Sequence, residues 1–302
     1  MKRKVYQEIA KVVQGRCYFN ELMSCHTSFR IGGPADLLIY PSNLFDLKII
    51  LKIVHRERIP LLVIGKGTNL LVSDTGFRGI VIKTTKGFNF IERKDDSICA
   101  GSGVTLSQLI NFTIANSLTG MEFATGIPGT VGGAVIMNAG AYGGEIGNVV
   151  KEIKGVYFSG KEQILKQKEI GFAYRQTKLP LDFLVTEATL QLKEGKQAVI
   201  KRTVTELLMK RKKNQPLSLP SAGCIFKNPP QDSARRLIAV AGGRGLRCGA
   251  ARVSKKHPNF IINRGGAKAT EVLKLIEQVK KLVYQEFNVE LMLEVKIVGE
   301  DI

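Results

Sequence analysis

Apolar residues recur at helical spacing over residues 42–58. Leu44, Leu47, Ile50, Leu51 and Val54 share one face, and Ser42 or Asn43 offers an N-cap. Pro60 follows, and the apolar run before Gly65 predicts a short buried strand over 61–65. The chain then passes through turns into a second strand ending near Ile82, and 97–101 predicts another. A second helix is predicted over 105–118, with Leu106, Leu109, Ile110, Ile114 and Leu118 on one side. Segments 150–158, 163–165 and 183–192 are strand-like in β-branched content, with turn signals at Ser159-Gly160 and at Pro180. A third helix covers 197–214, ends in the basic run KRKKN and stops before Pro216. A fourth covers 270–287, with Val272, Leu273, Ile276, Val279, Leu282 and Val283 directed inward, and a last strand is predicted over 291–299. There is no internal repeat. The mixture of elements predicts the α+β class with at least two domains and a boundary near residues 194–195.

Composition narrows the class. The chain has 302 residues, 44% hydrophobic and 24% charged, enough for a sizeable core. The basic N-terminus lacks the apolar run of a signal peptide, and no segment approaches the roughly 20 apolar residues of a membrane span. Cys17, Cys25, Cys99, Cys224 and Cys248 are scattered without a CxxC, and His26, His55 and His257 lie far apart. Neither a metal site nor a disulfide framework is expected, which suits a reduced, cytoplasmic protein.

The formal charge is +19, from 45 Lys and Arg against 26 Asp and Glu. Residues 227–268 hold ten Lys or Arg and one acid, Asp232. Such a stretch suits phosphate-bearing cofactors, nucleotide-linked substrates or nucleic acid, and equally a solvated face. Only Phe226 and Phe260 offer aromatic platforms there, which argues against nucleic acid.

The stretch GIPGTVGGAVIMNAGAYGGEIG, residues 126–147, contains eight glycines. There is no GxxxxGK[ST] P-loop and no GxSxG elbow, and Gly65-Lys66-Gly67-Thr68-Asn69-Leu70 lacks the third glycine of a dinucleotide fingerprint. Two glycine-rich loops remain, 65–70 and 126–134, both near predicted strands, with Thr and Asn interleaved. One such loop is ordinarily a turn; two suit a phosphate site lined by main-chain N–H groups.

The blocks GKGTNLLVSDTGFRGIVI and GIPGTVGGAVIMNAGAYGGEIG resemble the two FAD-binding loops of the UDP-N-acetylenolpyruvoylglucosamine reductase (UDP-N-acetylmuramate dehydrogenase) family. HTSFRIGGPAD, FAYRQT, QPLSLPSAGCIFKNP, HPNFIINRGGAKATEV and LEVKIVG are similar to further family blocks, in family order, over about residues 20–299. The resemblance implies a two-part FAD-binding domain of the vanillyl-alcohol-oxidase/PCMH type, residues 1–83 and 84–195, followed by a smaller α+β substrate-binding domain, 196–302. It implies a flavoprotein of peptidoglycan precursor synthesis, and so of cell-wall biogenesis and division. NADPH would reduce FAD, and the enolpyruvyl group of UDP-N-acetylglucosamine enolpyruvate would be reduced to give UDP-N-acetylmuramate. The expected state is a monomer without nucleic acid or membrane insertion.

By the same resemblance FAD would be held by Gly65, Lys66, Gly67, Thr68, Asn69 and Leu70, by Gly126, Ile127, Pro128, Gly129, Thr130, Gly132, Gly133 and Ala134, and by Asn138, Ala139 and Gly140. Arg175 would hold charge that develops on the substrate carboxylate. Cys224 stands where the family usually has a serine and would give the proton to C2; a thiol is the better acid, although a lone cysteine is ordinarily inert core. Glu294 would stand beside the developing enolate, although residue alternation alone would equally place it on a solvated face. Lys227 and Asn228 match positions used for the substrate diphosphate, and Tyr174 suits either substrate or core.

Three positions depart from the family pattern. Ala239 stands for an acid, Gly243 for a leucine and Ala250 for a glycine, which puts helix packing in the substrate domain in question. The chain is too short after Arg175 for the family's extra tyrosine-bearing loop. Competing readings are another FAD-linked oxidoreductase of the same superfamily and a basic nucleic-acid binder.

Overall fold

The computed structural model describes residues 2–299, with the side chain of Lys2 outside the description. The chain divides into two compact units, each built from several stretches. The first holds residues 2–19, 37–66 and 79–210; the second holds 20–36, 67–78 and 211–299.

The first unit contains two hydrophobic cores. One gathers Tyr6, Ile9, Leu37, Ile39, Leu47, Ile50, Leu51, Ile80 and Ile82. It forms where the helices Lys2–Val12 and Leu44–Glu57 cover strands that include the parallel pair Leu61–Ile64 and Phe77–Lys83, in register Leu61 to Ile80. The second helix begins as its sequence predicts: Asn43 Oδ1 accepts from Asp46 N at 2.9 Å. It ends at Arg58, whose left-handed φ of +50° turns the chain toward Pro60. The buried Asp46 carboxylate accepts from Gln14 N, Gly15 N and Ser42 N at 2.8–3.0 Å, so its desolvation is offset by hydrogen bonds.

The other core lies against an antiparallel five-stranded sheet in the order Glu162–Lys166, Val150–Tyr157, Phe183–Gln191, Ser97–Gly101, Ile91–Lys94. Helix Leu106–Ala115 starts at a capping box between Thr105 and Gln108. It stops three residues short of the predicted end, because Ser117 turns left-handed at φ +56° and Leu118 pairs with Glu194 instead. Helix Gln197–Asn214 has the predicted bounds.

The second unit is organised around helix Ala269–Phe287, which buries Val272, Leu275, Ile276, Val279 and Val283 against the sheet Arg247–Cys248, Ala251–Val253, Ile261–Asn263. Leu275 was not among the predicted inward positions, whereas Leu273 and Leu282 are only half-buried. The start of this helix is capped from a distance: the Asp74 carboxylate accepts from Ala269 N at 2.7 Å and Thr270 N at 3.1 Å.

The predicted strand over 291–299 is corrected. Only Lys296–Val298 is a strand, parallel to Leu70–Val72. Residues 291–295 bond to 225–227 instead, through an isolated bridge between Phe226 and Leu293. The predicted second strand ending near Ile82 is Phe77–Lys83; the turns before it also hold a short strand, Leu70–Val72, and Gly76 at φ +89°.

Candidate active site

In the first unit the two glycine-rich loops touch. A Cβ on Gly65 would lie 2.1 Å from Thr130 Oγ1, so only glycine allows the approach. Thr130 is buried and caps the short helix Val131–Ile136, an element hidden from pattern reading by its glycines. Gly132 N donates to Ser102 O at 2.9 Å.

Two hydroxyls at this loop, Ser102 Oγ and Thr125 Oγ1, are buried without a hydrogen-bond partner among the described residues. Orphaned buried hydroxyls are costly unless a ligand satisfies them. Gly126, Pro128 and Gly133 meanwhile lie exposed on the same loop. A polar, phosphate-bearing cofactor fits both observations.

The rest of the glycine stretch answers to the protein itself. A Cβ on Gly144 would fall 2.7 Å from the Phe123 ring, and one on Gly147 2.8 Å from the Phe172 ring. These glycines are required by neighbouring side chains. Gly140 and Gly144 belong to a small hairpin, with Gly140–Ala141 paired to Gly144–Glu145.

Arg175 is brought to this stretch. It sits in a tight turn closed by bonds between Ala173 and Gln176, at φ +55°, a conformation disfavoured for arginine. Its Nη2 donates to Gly140 O at 2.7 Å and its Nη1 to Asn138 O at 3.4 Å. The guanidinium also stands 4.9 Å from the ring centre of Tyr174, which is itself exposed. Asn138 is fully buried, with both side-chain polar atoms engaged inside the chain. Its main-chain N–H donates to Val135 O at 3.0 Å.

The second unit brings Cys224, Glu294 and Asn69 together. Glu294 N donates to Ile225 O at 2.8 Å, and Lys227 N to Met292 O at 2.8 Å, so the segments of Cys224 and Glu294 run side by side. Asn69 Nδ2 donates to Glu294 O at 3.0 Å, and Lys296 N to Asn69 O at 3.0 Å. Cys224 and Glu294 are both half-buried, whereas Met292 and Lys296 are exposed. Glu294 is thus partly covered, between the exposed Met292 and Lys296 of the same alternation.

Gly67 is pressed to the main chain here: at φ +62°, its Cβ would lie 2.2 Å from His26 O. Ser28 links two sequence blocks, its N–H donating to Gly67 O at 3.0 Å and its Oγ to Ser221 O at 2.7 Å. Asn259, missed by sequence reading, clamps the segment after Cys224. Lys227 is half-buried and Asn228 exposed, with Asn228 Oδ1 accepting from Ala234 N at 3.1 Å.

A family model described as the C-terminal domain of UDP-N-acetylenolpyruvoylglucosamine reductase matches residues 215–298, and one described as an FAD binding domain matches 35–165. The UDP-N-acetylenolpyruvoylglucosamine reductase of Caldanaerobacter subterraneus subsp. tengcongensis is 45% identical over 295 residues, 97% of each chain. The chain belongs to the UDP-N-acetylenolpyruvoylglucosamine reductase family. A Clostridium tetani reductase of that name is also 45% identical, covering 93% of this chain and 92% of the relative. The crystal structure of the Thermus caldophilus reductase superposes with a TM-score of 0.82 at 36% identity, covering 95% of this chain and 99% of that one. Alkyldihydroxyacetonephosphate synthase, at 14% identity and TM-score 0.50 over 64% of this chain, shares the fold alone. The α+β class and the FAD-binding fold of the vanillyl-alcohol-oxidase/PCMH type expected from sequence are thus confirmed.

The departures from the reductase family pattern leave the helix they were expected to disturb intact. Helix Ala234–Val240 forms, capped by Ser233, whose Oγ accepts from Arg236 N at 3.2 Å. A Cβ on Gly243 would lie 2.6 Å from Ile238 Cγ2, so a leucine there would collide with this chain's own Ile238. Ala250 N donates to Glu271 Oε2 at 3.0 Å. Among the described residues no helix is long and apolar enough to cross a membrane.

Proposed function

We propose that this chain reduces the enolpyruvyl group of UDP-N-acetylglucosamine enolpyruvate to UDP-N-acetylmuramate, with NADPH as reductant, in the cytoplasm and as a monomer. The observation that carries the reading is the side-by-side course of the Cys224 and Glu294 segments, with Asn69 of a glycine-rich loop bonded to the Glu294 carbonyl. Three regions share the work: 1–83 and 84–195 as the two parts of the FAD-binding domain, and 196–302 as the substrate domain. The cores do not follow those limits residue by residue: Phe29, Ile31 and Leu71 pack with the core of residues 222–295.

Residues 65–70, 126–134 and the main chain of 138–140 would hold FAD, with the Ser102 and Thr125 hydroxyls available to it. FAD, when bound, would supply a two-electron carrier between NADPH and the enolpyruvyl group. The chain's own residues manage charge and proton. Arg175 would hold charge that develops on the substrate carboxylate, and Glu294 would serve the developing enolate. Cys224 gives its thiol proton to C2; an ordinary thiol pKa of about 8.5 makes it a stronger acid than an alkyl hydroxyl. Lys227 and Asn228 neutralise and orient the diphosphate, and Tyr174 lines the approach.

Anaerobic stopped-flow absorbance of the flavin tests the reading. NADPH should bleach it, and the enolpyruvyl substrate should restore the colour. Cys224→Ala should leave bleaching intact and slow recovery by about 100-fold or more, whereas Cys224→Ser retains recovery. Equal slowing of both phases in the Ala variant would remove Cys224 from the role of proton donor.

A further inference from the structure

We infer that Asn138 is a positioning residue for Arg175: its buried amide ties the arginine's turn to the glycine-rich hairpin and fixes where the guanidinium stands. The inference rests on the role proposed above for Arg175. Sequence alone places Asn138 among cofactor contacts, but the structure gives its side chain other work.

Asn138 has no exposed surface and a left-handed φ of +41°. Its Nδ2 donates to Ala173 O at 3.0 Å, on the turn that carries Arg175. Its Oδ1 accepts from Gly147 N at 2.9 Å, at the far end of the hairpin. Its main-chain O accepts from Arg175 Nη1, and Gly140 O, two residues on, accepts from Nη2. Thr177 Oγ1 donates to Ile136 O at 3.2 Å, which fastens the same turn from its other side.

Arg175 is therefore held at both ends. Its backbone is fastened through Ala173 and its guanidinium by the carbonyls around Asn138. The amide serves because it presents a donor and an acceptor in opposite directions. A carboxylate at 138 would keep the bond from Gly147 N and face the Ala173 carbonyl without a proton to give. The left-handed φ at Arg175 is disfavoured by itself, so the turn relaxes when that bond is lost.

The test is a double-mutant cycle on the FAD-loaded enzyme, read by half-reaction. Asn138→Asp should slow substrate-driven flavin reoxidation by about 10–100-fold, as expected for a misplaced charge-stabilising group, and by more than it slows reduction by NADPH. In an Arg175→Ala background the same substitution should add less than about twofold, because the group it positions is gone. Amide hydrogen exchange gives a second readout: Asn138→Asp should accelerate exchange at Gln176 and spare Gly147, whereas Asn138→Gly should accelerate both. If the Asp variant does not accumulate as holoenzyme, Asn138→Gly tolerates the backbone angle and carries the same cycle.

Effects that multiply in full in the double variant would overturn the positioning role. Loss of FAD from Asn138→Asp with unaltered reoxidation would return Asn138 to the cofactor. If Arg175→Ala alone leaves reoxidation unchanged, the proposed role of Arg175 has failed and the inference falls with it.

Discussion

Asn259 offers the sharpest energetic test of how the Cys224 segment is held. Its side chain imitates a neighbouring strand: Oδ1 accepts from Phe226 N at 2.9 Å, and Nδ2 donates to Phe226 O at 2.8 Å. Its main-chain O accepts from Ile225 N at 2.8 Å. Asn259, Ile225 and Phe226 are each at most 2% exposed, so bulk water cannot replace the lost partners. Asn259→Ala removes two bonds and strands a buried N–H and a buried C=O. At about 1–3 kcal/mol for each unsatisfied group, the loss comes to about 2–5 kcal/mol, allowing for partial relaxation. That is a large share of the roughly 5–15 kcal/mol that keeps a domain folded.

Asn259→Asp keeps the acceptor and loses the donor unless the carboxyl is protonated. Burial and the facing Phe226 carbonyl raise its folded pKa above the ordinary value of about 3.9. The stability it contributes is present at acid pH and is lost as pH rises through the folded pKa. Urea unfolding at several pH values, followed by circular dichroism, measures both effects. Alkylation of Cys224, mapped by peptide mass, should quicken as its segment loosens. A loss below about 1 kcal/mol for Asn259→Ala at unchanged m-value would refute the view that the amide is what holds this segment.

Gly67→Ala should cost at least about 2 kcal/mol, because a left-handed backbone and a collision with His26 O act together. Gly143→Ala, at φ +84° with nothing within 4 Å of its Cβ, isolates the backbone share and should cost about 1–2 kcal/mol. Equal urea midpoints for the two variants would remove the His26 contact from the account. His257 has its pKa pushed down to about 4 by burial and, next, by the charge of Arg235, from an ordinary value of 6.5. The unfolded chain therefore takes up this proton first, so the contribution of His257 is complete above pH 6.5 and is lost as pH falls toward 4. His257→Gln should flatten that limb of the stability–pH profile, and parallel profiles would contradict it. Burial, then Asp46, raises the Cys17 thiol to about 11, so at pH 8 iodoacetamide should modify exposed Cys25 and leave Cys17 largely unmodified.

Local chemistry made much of the scaffold legible. The helix over 44–57 follows from one apolar face and an asparagine cap, and the strand at 183–191 follows from its β-branched residues and the turn signal at Pro180. These signals are properties of neighbouring residues and survive in any tertiary setting. The motif blocks carried the family, because residues that must converge on one ligand recur in fixed types and order.

What the sequence could not decide was set by distant partners. Residues 291–295 read as strand by alternation, yet they meet 225–227 only through an isolated bridge, while Asn259 binds the opposite edge of Phe226. The glycines at 144 and 147 are set by the rings of Phe123 and Phe172, which press against them. Asp74 caps a helix that begins 195 positions later, and Asn69 holds the carbonyl of Glu294. Asn138 is buried, with its amide bonded to Ala173 O on the turn that carries Arg175. Residue type and spacing determine which groups are available for flavin chemistry. Which of them face a ligand, and which spend their hydrogen bonds holding the others in place, depends on contacts that only the folded chain brings together.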